Sequence, residues 1–381
     1  MLIMTCQTTV LAQDSDLPPM DSVEISLLTC QPHDEVYSLY GHTAIRYHEL
    51  RDGGIDAAFN YGVFNYDTPL FVARFVFGIT DYELGAFPFR LFQREYRHFG
   101  SMVTEQVLNL TNEEKMALRM ALADNLKPEN TIYRYNYFYN NCTTKARDII
   151  ERCINGKVQY AKREDYTPSY RDMVHTMTRN NPWSRFGNDL LLGIQADSKT
   201  DQREQEFLPD NLLYDFDHAQ ILDANGLRPL VKERRIAVPA GVQMHHDGFP
   251  LTPLQCCFIL LAAGLVIFLI EWKTKHSFVA WDVILMIASG TIGVVLFLML
   301  FSQHPTVRVN LQLLFFNPIH LVYLYPVIRG RQTRYWKIVC ILTALFLVCS
   351  LFQTYAEGII SLALCLLLQG ILHINMYTQK K

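Results

Sequence analysis

Apolar residues are arranged in two different ways along this chain. Up to about residue 242 they alternate with polar positions or recur at helical spacing. From about 253 onward they form near-continuous runs, over about 253–270, 281–301, 311–328, 338–352 and 357–376. Runs of this kind approach the roughly 20 residues that cross a hydrocarbon core of about 30 Å, although the fourth is short. They predict an all-α transmembrane bundle of about five helices within 253–381.

The preceding stretch reads as strands first and helices later. Val23–Thr29 is rich in β formers. Ala44–Tyr47 and Ala57–Phe64 flank the turn signal Asp52-Gly53-Gly54, which predicts a hairpin. Leu70–Phe77 and Leu84–Arg94 fit strand or helix, and Val103–Leu110 fits a strand. Thr111 with Glu114 three residues on forms a capping-box pattern, and Leu118, Leu122 and Leu126 follow at helical spacing until Pro128. Tyr133–Tyr139 reads as extended. Ala146, Ile149, Ile150 and Cys153 give helical periodicity to Lys145–Ile154. The chain therefore divides into an N-terminal stretch 1–19, an α+β domain 20–242, a connector 243–252 and the transmembrane domain 253–381.

Charge gives the orientation. Basic residues cluster at Lys273 and Lys275, at Arg329, Arg331, Arg334 and Lys337, and at Lys380-Lys381. The alternate connections carry only Arg308, or none around Gln353–Ala356. The positive-inside rule then places the C-terminus in the cytoplasm and the N-terminal domain outside. Residues 1–12 are a poor signal peptide: Val10-Leu11-Ala12 is short and no Lys or Arg precedes it, as a start site annotated too far downstream would produce. A disordered tail is the alternative. The net charge of −3 gives no basic footprint for nucleic acid.

Of the nine cysteines, the exported half keeps Cys30, Cys142 and Cys153. Three is odd, so at least one has no intramolecular disulfide partner. Cys142 opens an expected helix, where the partial positive charge lowers a thiol pKa and free N–H groups can hold an oxyanion. A nucleophilic Cys needs a base, and His42, at a strand start after Gly41, is the candidate; a structural histidine is the alternative. Arg46 is a candidate phosphate ligand, against a solvated strand-end charge. Asn141 fits either an orienting role or a helix N-cap. His304, in the polar outer loop 302–310, is a candidate juxtamembrane site, against a Pro-broken helix.

Several motifs carry a resemblance. They are Tyr40-Gly41-His42-Thr43-Ala44-Ile45-Arg46, Phe59-Asn60-Tyr61-Gly62-Val63-Phe64-Asn65-Tyr66-Asp67-Thr68-Pro69, Asn141-Cys142-Thr143-Thr144-Lys145, Asn181-Pro182-Trp183, Phe186–Gly193 and Phe207-Leu208-Pro209, followed by His304-Pro305 and Phe316-Asn317-Pro318. Over nearly the whole chain they resemble the Bacteroidetes envelope proteins with an Lnb-type periplasmic domain. The order of His strand and Cys helix is similar to the permuted papain-like, lecithin:retinol acyltransferase arrangement. The resemblance implies a multi-pass inner-membrane enzyme that moves a fatty acyl chain from phospholipid, through a Cys thioester, to the α-amino group of a lipoprotein's lipidated N-terminal Cys. Its partners would be the phospholipid donor, the diacylated lipoprotein acceptor and the membrane, with no cofactor or metal. Cys142 would be the nucleophile, His42 the base and Asn60 the third residue, with Tyr61 on the opposite strand face as its rival. The sequence departs from the family pattern at Lys145, where Arg is expected; the charge stays but the planar fork is lost. A cysteine peptidase or amidase acting on peptidoglycan, or a non-enzymatic scaffold with Cys142 in a disulfide, are the competing readings.

Overall fold

The structure is a computed structural model that describes residues 18–64, 67–164, 166–243, 248–331 and 333–378. The apolar run 10–12, Cys6, Asn65-Tyr66 and Lys380-Lys381 lie outside the described residues. The strands are β1 Val23–Cys30, β2 His42–Glu49, β3 Asp56–Val63, β4 Asp81–Pro88, β5 Val103–Leu108, β6 Ile132–Arg134, β7 Lys157–Gln159, β8 Gln220–Asp223, β9 Gly226–Pro229 and β10 Val231–Val238. Helices α1 Phe71–Val76, α2 Phe89–His98, α3 Asn112–Asn125 and α4 Cys142–Cys153 come first; α5 Tyr170–Met177, α6 Pro182–Leu191, α7 Gln202–Gln205 and α8 Pro209–His218 follow.

One unit comprises residues 1–167 and 200–246 and contains all ten strands found among the described residues. Its main sheet has seven strands in the order β10-β5-β1-β2-β3-β4-β6, every recorded pairing antiparallel. The β2–β3 hairpin expected from its turn signal pairs Ile45 with Phe59. Leu84–Arg94, which fitted either state, splits into the end of β4 and most of α2 at Pro88. Period-2 alternation puts Ile45, Tyr47, Ala57, Phe59 and Tyr61 on one face. There they pack on Leu118 and Leu122 of α3 and on Ala146, Ile149 and Ile150 of α4. Full burial of each large apolar side chain contributes about 1.5–3 kcal/mol. The other face carries Leu28, Cys30, Ala44 and Ala58 under Phe89, Phe92 and Tyr96 of α2. The capping box at Thr111 forms, with the Glu114 carboxylate accepting the Thr111 N–H at 2.8 Å.

The second unit comprises residues 168–199 and 247–381. Among the described residues, three of its helices are long and apolar enough to cross a membrane: α9 Pro253–Thr274, α10 Val279–Met299 and Ile359–Tyr377 within the last helix. The apolar run 311–328 is not the continuous span that its composition suggests. It breaks into a 3-10 turn, Leu311–Leu314, and the short helices Ile319–Val322 and Leu324–Ile328. Pro318 and Pro326 have no N–H to continue a helix, and the Asn317 side-chain oxygen takes the Ile319 N–H instead. The fourth run forms Thr333–Cys349, 17 residues long.

The segment 168–199, expected inside the exported domain, clusters with the helical unit. Its backbone explains why: the Gly193 and Ile194 N–H groups bond to the carbonyls of Thr306 and Val309, and Asn310, Gln312 and Gln353 donate to the carbonyls of residues 189–192. Arg171 is buried between Asp189 and Asp197 in the same segment. Polar side chains that satisfy backbone groups leave no hydropathy signal.

Candidate active site

The reactive pair is positioned by local backbone chemistry at the start of β2 and the start of α4. Gly41 has φ +75°, and a Cβ there would stand 2.6 Å from the Cys30 carbonyl oxygen, so only glycine lets β2 open at His42 directly beside Cys30. Asn141 is the N-cap of α4. Its side-chain oxygen takes the N–H groups of Thr143 and Thr144, both at 3.0 Å, while its amide nitrogen donates to the carbonyls of Tyr137 and Phe207. The Lys145 N–H bonds to the Asn141 carbonyl, and among the described residues the Cys142 N–H donates to no acceptor. Thr43 and Thr143, the residues after His42 and Cys142, meet through their hydroxyls at 3.1 Å and tie strand to helix.

Gly62 marks where the groups converge. A Cβ on it would lie 3.1 Å from His42 Cε1, 3.5 Å from Asn60 Oδ1 and 3.8 Å from Cys142 Cβ. His42 Nε2 is 2.6 Å from Asn60 Oδ1. An amide oxygen can only accept, so Nε2 carries the proton and Nδ1 remains for the thiol. Burial alone would raise the Cys142 thiol. The His42 imidazolium, a hydrogen bond from it, the Thr43 N–H and the Thr143 hydroxyl outweigh that, bringing the thiol from 9.0 to about 7. Burial lowers His42, but the facing Cys142 thiolate, Asn60 and more distant Glu95 raise it overall. The two shifts describe one thiolate–imidazolium pair at neutral pH. Both side chains remain partly exposed, as a reacting pair must. Cys30 and Cys153 shift the opposite way, both raised by burial. Cys30, Cys142 and Cys153 are all free thiols, so Cys142 is in no disulfide with either.

The other residues singled out by sequence fall in different places. Tyr61 is on the opposite face of β3, where its hydroxyl accepts from Asn125 at 2.7 Å within the core. Arg46 is buried, not a solvated strand-end charge, and its guanidinium is engaged by carboxylates. It is bidentate to Asp56 at 2.7 and 2.9 Å, bonds Glu105 at 3.1 Å and lies 3.7 Å over the Phe89 ring. Those partners are remote in sequence, which is why no local pattern signals them. His304 belongs to the second unit, where it is buried and precedes the short helix Pro305–Arg308. Lys145 stands 4.9 Å from the Tyr133 ring centroid. Thr43, Thr143 and Gly62 were not singled out by sequence; a glycine inside a strand pattern is a signal of close approach that points to Gly62.

Tyr61→Phe is therefore expected to leave the alkylation rate of Cys142 within about twofold and to cost roughly 1 kcal/mol of stability. Asn60→Ala is expected to slow alkylation at neutral pH. Rate measurements on the two variants check the assignment of faces.

A Cys–His–Asn trio at the end of a sheet, in a chain with apolar membrane-length helices, defines a membrane protein with a thiol-bearing α/β domain. Residues 16–201 match the Lnb N-terminal periplasmic domain and residues 244–381 match the Lnb transmembrane domain, so the chain belongs to the Lnb family. Neither a curated protein nor a solved structure matches it.

Proposed function

We propose that the protein is a lipoprotein N-acyltransferase of the inner membrane, acting through a Cys142 thioester, with its C-terminus in the cytoplasm. The observation that carries the reading is the lowered Cys142 thiol beside an imidazole fixed by Asn60. Family membership, the membrane-length helices and the free state of all three thiols of the periplasmic domain support it. His strand preceding Cys helix fits a permuted papain-like domain. In the bundle, Thr333–Cys349 and the broken 305–328 stretch would complete five crossings.

Each half-reaction balances on this pair. The Cys142 thiolate attacks an ester carbonyl of a phospholipid, and the Cys142 N–H at the positive end of α4 receives the oxyanion. As the C–O bond breaks, His42 Nδ1–H protonates the leaving glycerol oxygen, releasing lysophospholipid. The neutral imidazole then takes a proton from the acceptor's α-amine as nitrogen attacks the thioester. An amide forms and the thiolate returns. Both substrates reside in the membrane, so attachment of the domain there raises their effective concentration. Asn141 serves by shaping the helix start, not by touching substrate.

The same trio also suits peptide hydrolysis, which makes a peptidoglycan peptidase the second reading. Purified protein in phospholipid bilayers, given a diacylated lipopeptide, is expected to yield lysophospholipid and N-acylated lipopeptide in equal amounts. Cys142→Ala should yield neither. Cleavage of a peptidoglycan stem peptide without acyl transfer would establish the second reading instead.

A further inference from the structure

Three ionisable side chains meet among the membrane-length helices, one from each. Glu271 lies in the last turn of α9, Asp282 in the first turn of α10 and His373 near the end of the last helix. Glu271 and His373 are fully buried, and Asp282 is 2% exposed. Glu271 Oε2 stands 2.9 Å from His373 Nε2, while Asp282 Oδ2 stands 3.7 Å from Nδ1 on the other side of the ring. The second distance is beyond a hydrogen bond. Among the described residues, neither Asp282 Oδ2 nor His373 Nδ1 has a hydrogen-bond partner, and both are buried.

The surroundings supply no compensating cation. Glu271 Oε1 accepts the Phe278 N–H at 2.6 Å, and the Gln369 amide donates to Oε2. The Trp336 ring meets the His373 ring edge-on at 4.5 Å. The phenols close by bond elsewhere, Tyr335 with His320 at 2.9 Å and Tyr377 with Ser277 at 2.5 Å. Lys273, Lys275, His276, Arg334 and Lys337 lie on the same helices or beside them but are exposed. Among the described residues none of them pairs with either carboxylate. Two carboxylates beside a neutral imidazole would bury two negative charges among apolar helices, which is strongly unfavourable. One added proton removes one of those charges. A metal ion needs donors that converge on one point, whereas these carboxylates flank opposite ring nitrogens. His373 Nε2 also faces both a carboxylate oxygen, which accepts, and at 3.1 Å the Gln369 amide, which donates. It therefore finds a partner whether or not it carries a hydrogen.

We infer that Glu271, His373 and Asp282 form a proton-binding site in the transmembrane bundle, in which one mobile proton passes between the two carboxylates through the imidazole. In one arrangement Asp282 carries it and His373 Nε2–H faces ionised Glu271. The Asp282 O–H bond then breaks as an N–H bond forms at Nδ1. The Nε2–H bond breaks as an O–H bond forms at Glu271, and the total charge is unchanged. Each group comes from a different helix, so release of the proton to water sets carboxylate against carboxylate and loosens this end of the bundle. The domain is then a proton-responsive element as well as an anchor. None of this depends on the reading of Cys142.

The test uses the full chain in phospholipid vesicles, with Trp183, Trp272 and Trp281 replaced by phenylalanine so that Trp336 alone reports. A charged imidazole in edge contact quenches indole emission more than a neutral one. Emission is expected to rise with pH as a single-proton titration between about pH 5 and pH 10, and the titration should be absent in His373→Gln. Its midpoint should fall by at least about one pH unit in Asp282→Asn and in Glu271→Gln, since each removes an anion that holds the proton. Thermal unfolding of the detergent-solubilised full chain gives a second readout: the wild-type Tm should drop as pH rises through the midpoint, and that of Asp282→Asn should drop far less. Emission that ignores pH, or a midpoint that Asp282→Asn leaves in place, overturns the inference. A midpoint that falls when sodium chloride replaces choline chloride overturns it too, by assigning the site to a metal cation.

Discussion

At pH 7 the His42→Ala variant is expected to lose nearly all of the fast iodoacetamide labelling of Cys142. With its thiol at about 7, wild-type Cys142 is close to half thiolate at that pH. The reactive form is the thiolate. Removing His42 deletes the opposing charge and its hydrogen bond, leaving burial, which raises the thiol, against only the Thr43 and Thr143 contacts. A thiol at its ordinary 9.0 or above is about 1% thiolate at pH 7, so the rate should fall roughly 50-fold or more. The sign is also testable. The wild-type rate should rise through a midpoint near pH 7, and the variant's only above pH 9. Peptide mapping separates Cys142 from Cys30 and Cys153, whose thiols are raised by burial and stay slow throughout. A variant that labels as fast as wild type at pH 7 would remove His42 from the site.

The Gly62→Ala variant should fold yet form the acyl-enzyme at least 100-fold more slowly, since displacing a reacting group by about 1 Å costs on the order of 10²-fold. The added methyl group would stand 3.1 Å from His42 Cε1, and φ +155° strains any side chain there. Relief by moving His42 breaks its short bond to Asn60 and swings Nδ1 off the sulfur. Because the strand core lies on the other face, at Phe59 and Tyr61, thermal stability should change far less than activity. Wild-type rates of acyl-enzyme formation in Gly62→Ala would mean that the ring geometry seen here is not the reacting one.

Elements with a local chemical signature were legible in the sequence. The capping box at Thr111, the Gly-rich turn between β2 and β3 and the apolar periodicity of α4 depend on residues within one turn of each other. The Cys142 and His42 positions were legible for the same reason: one opens a capped helix and the other follows a glycine that permits close strand approach. What escaped depends on distant partners. Nothing local marks β10 as the strand that pairs with β5. Arg46 finds Asp56 and Glu105 only after the sheet forms. Residues 168–199 join the helical unit through backbone hydrogen bonds, not through apolar stripes. In the third apolar run, hydropathy registers Leu and Phe but not the two prolines that interrupt the backbone ladder. Asp282, near the start of its span, reads as interfacial by position, yet it is buried 3.7 Å from His373, with Glu271 on the other side of that ring at 2.9 Å.

The central claim is that Cys142 carries the acyl chain, and intact-mass analysis of the full-length protein after incubation in phospholipid bilayers tests it most directly. The expected result is one fatty-acyl mass added to wild type, mapped to Cys142 and removed by neutral hydroxylamine as a thioester is. The adduct should be absent in Cys142→Ala and scarcely formed in His42→Ala. A wild-type protein whose Cys142 alkylates rapidly at pH 7, but which gains no acyl mass from phospholipid, would contradict the claim.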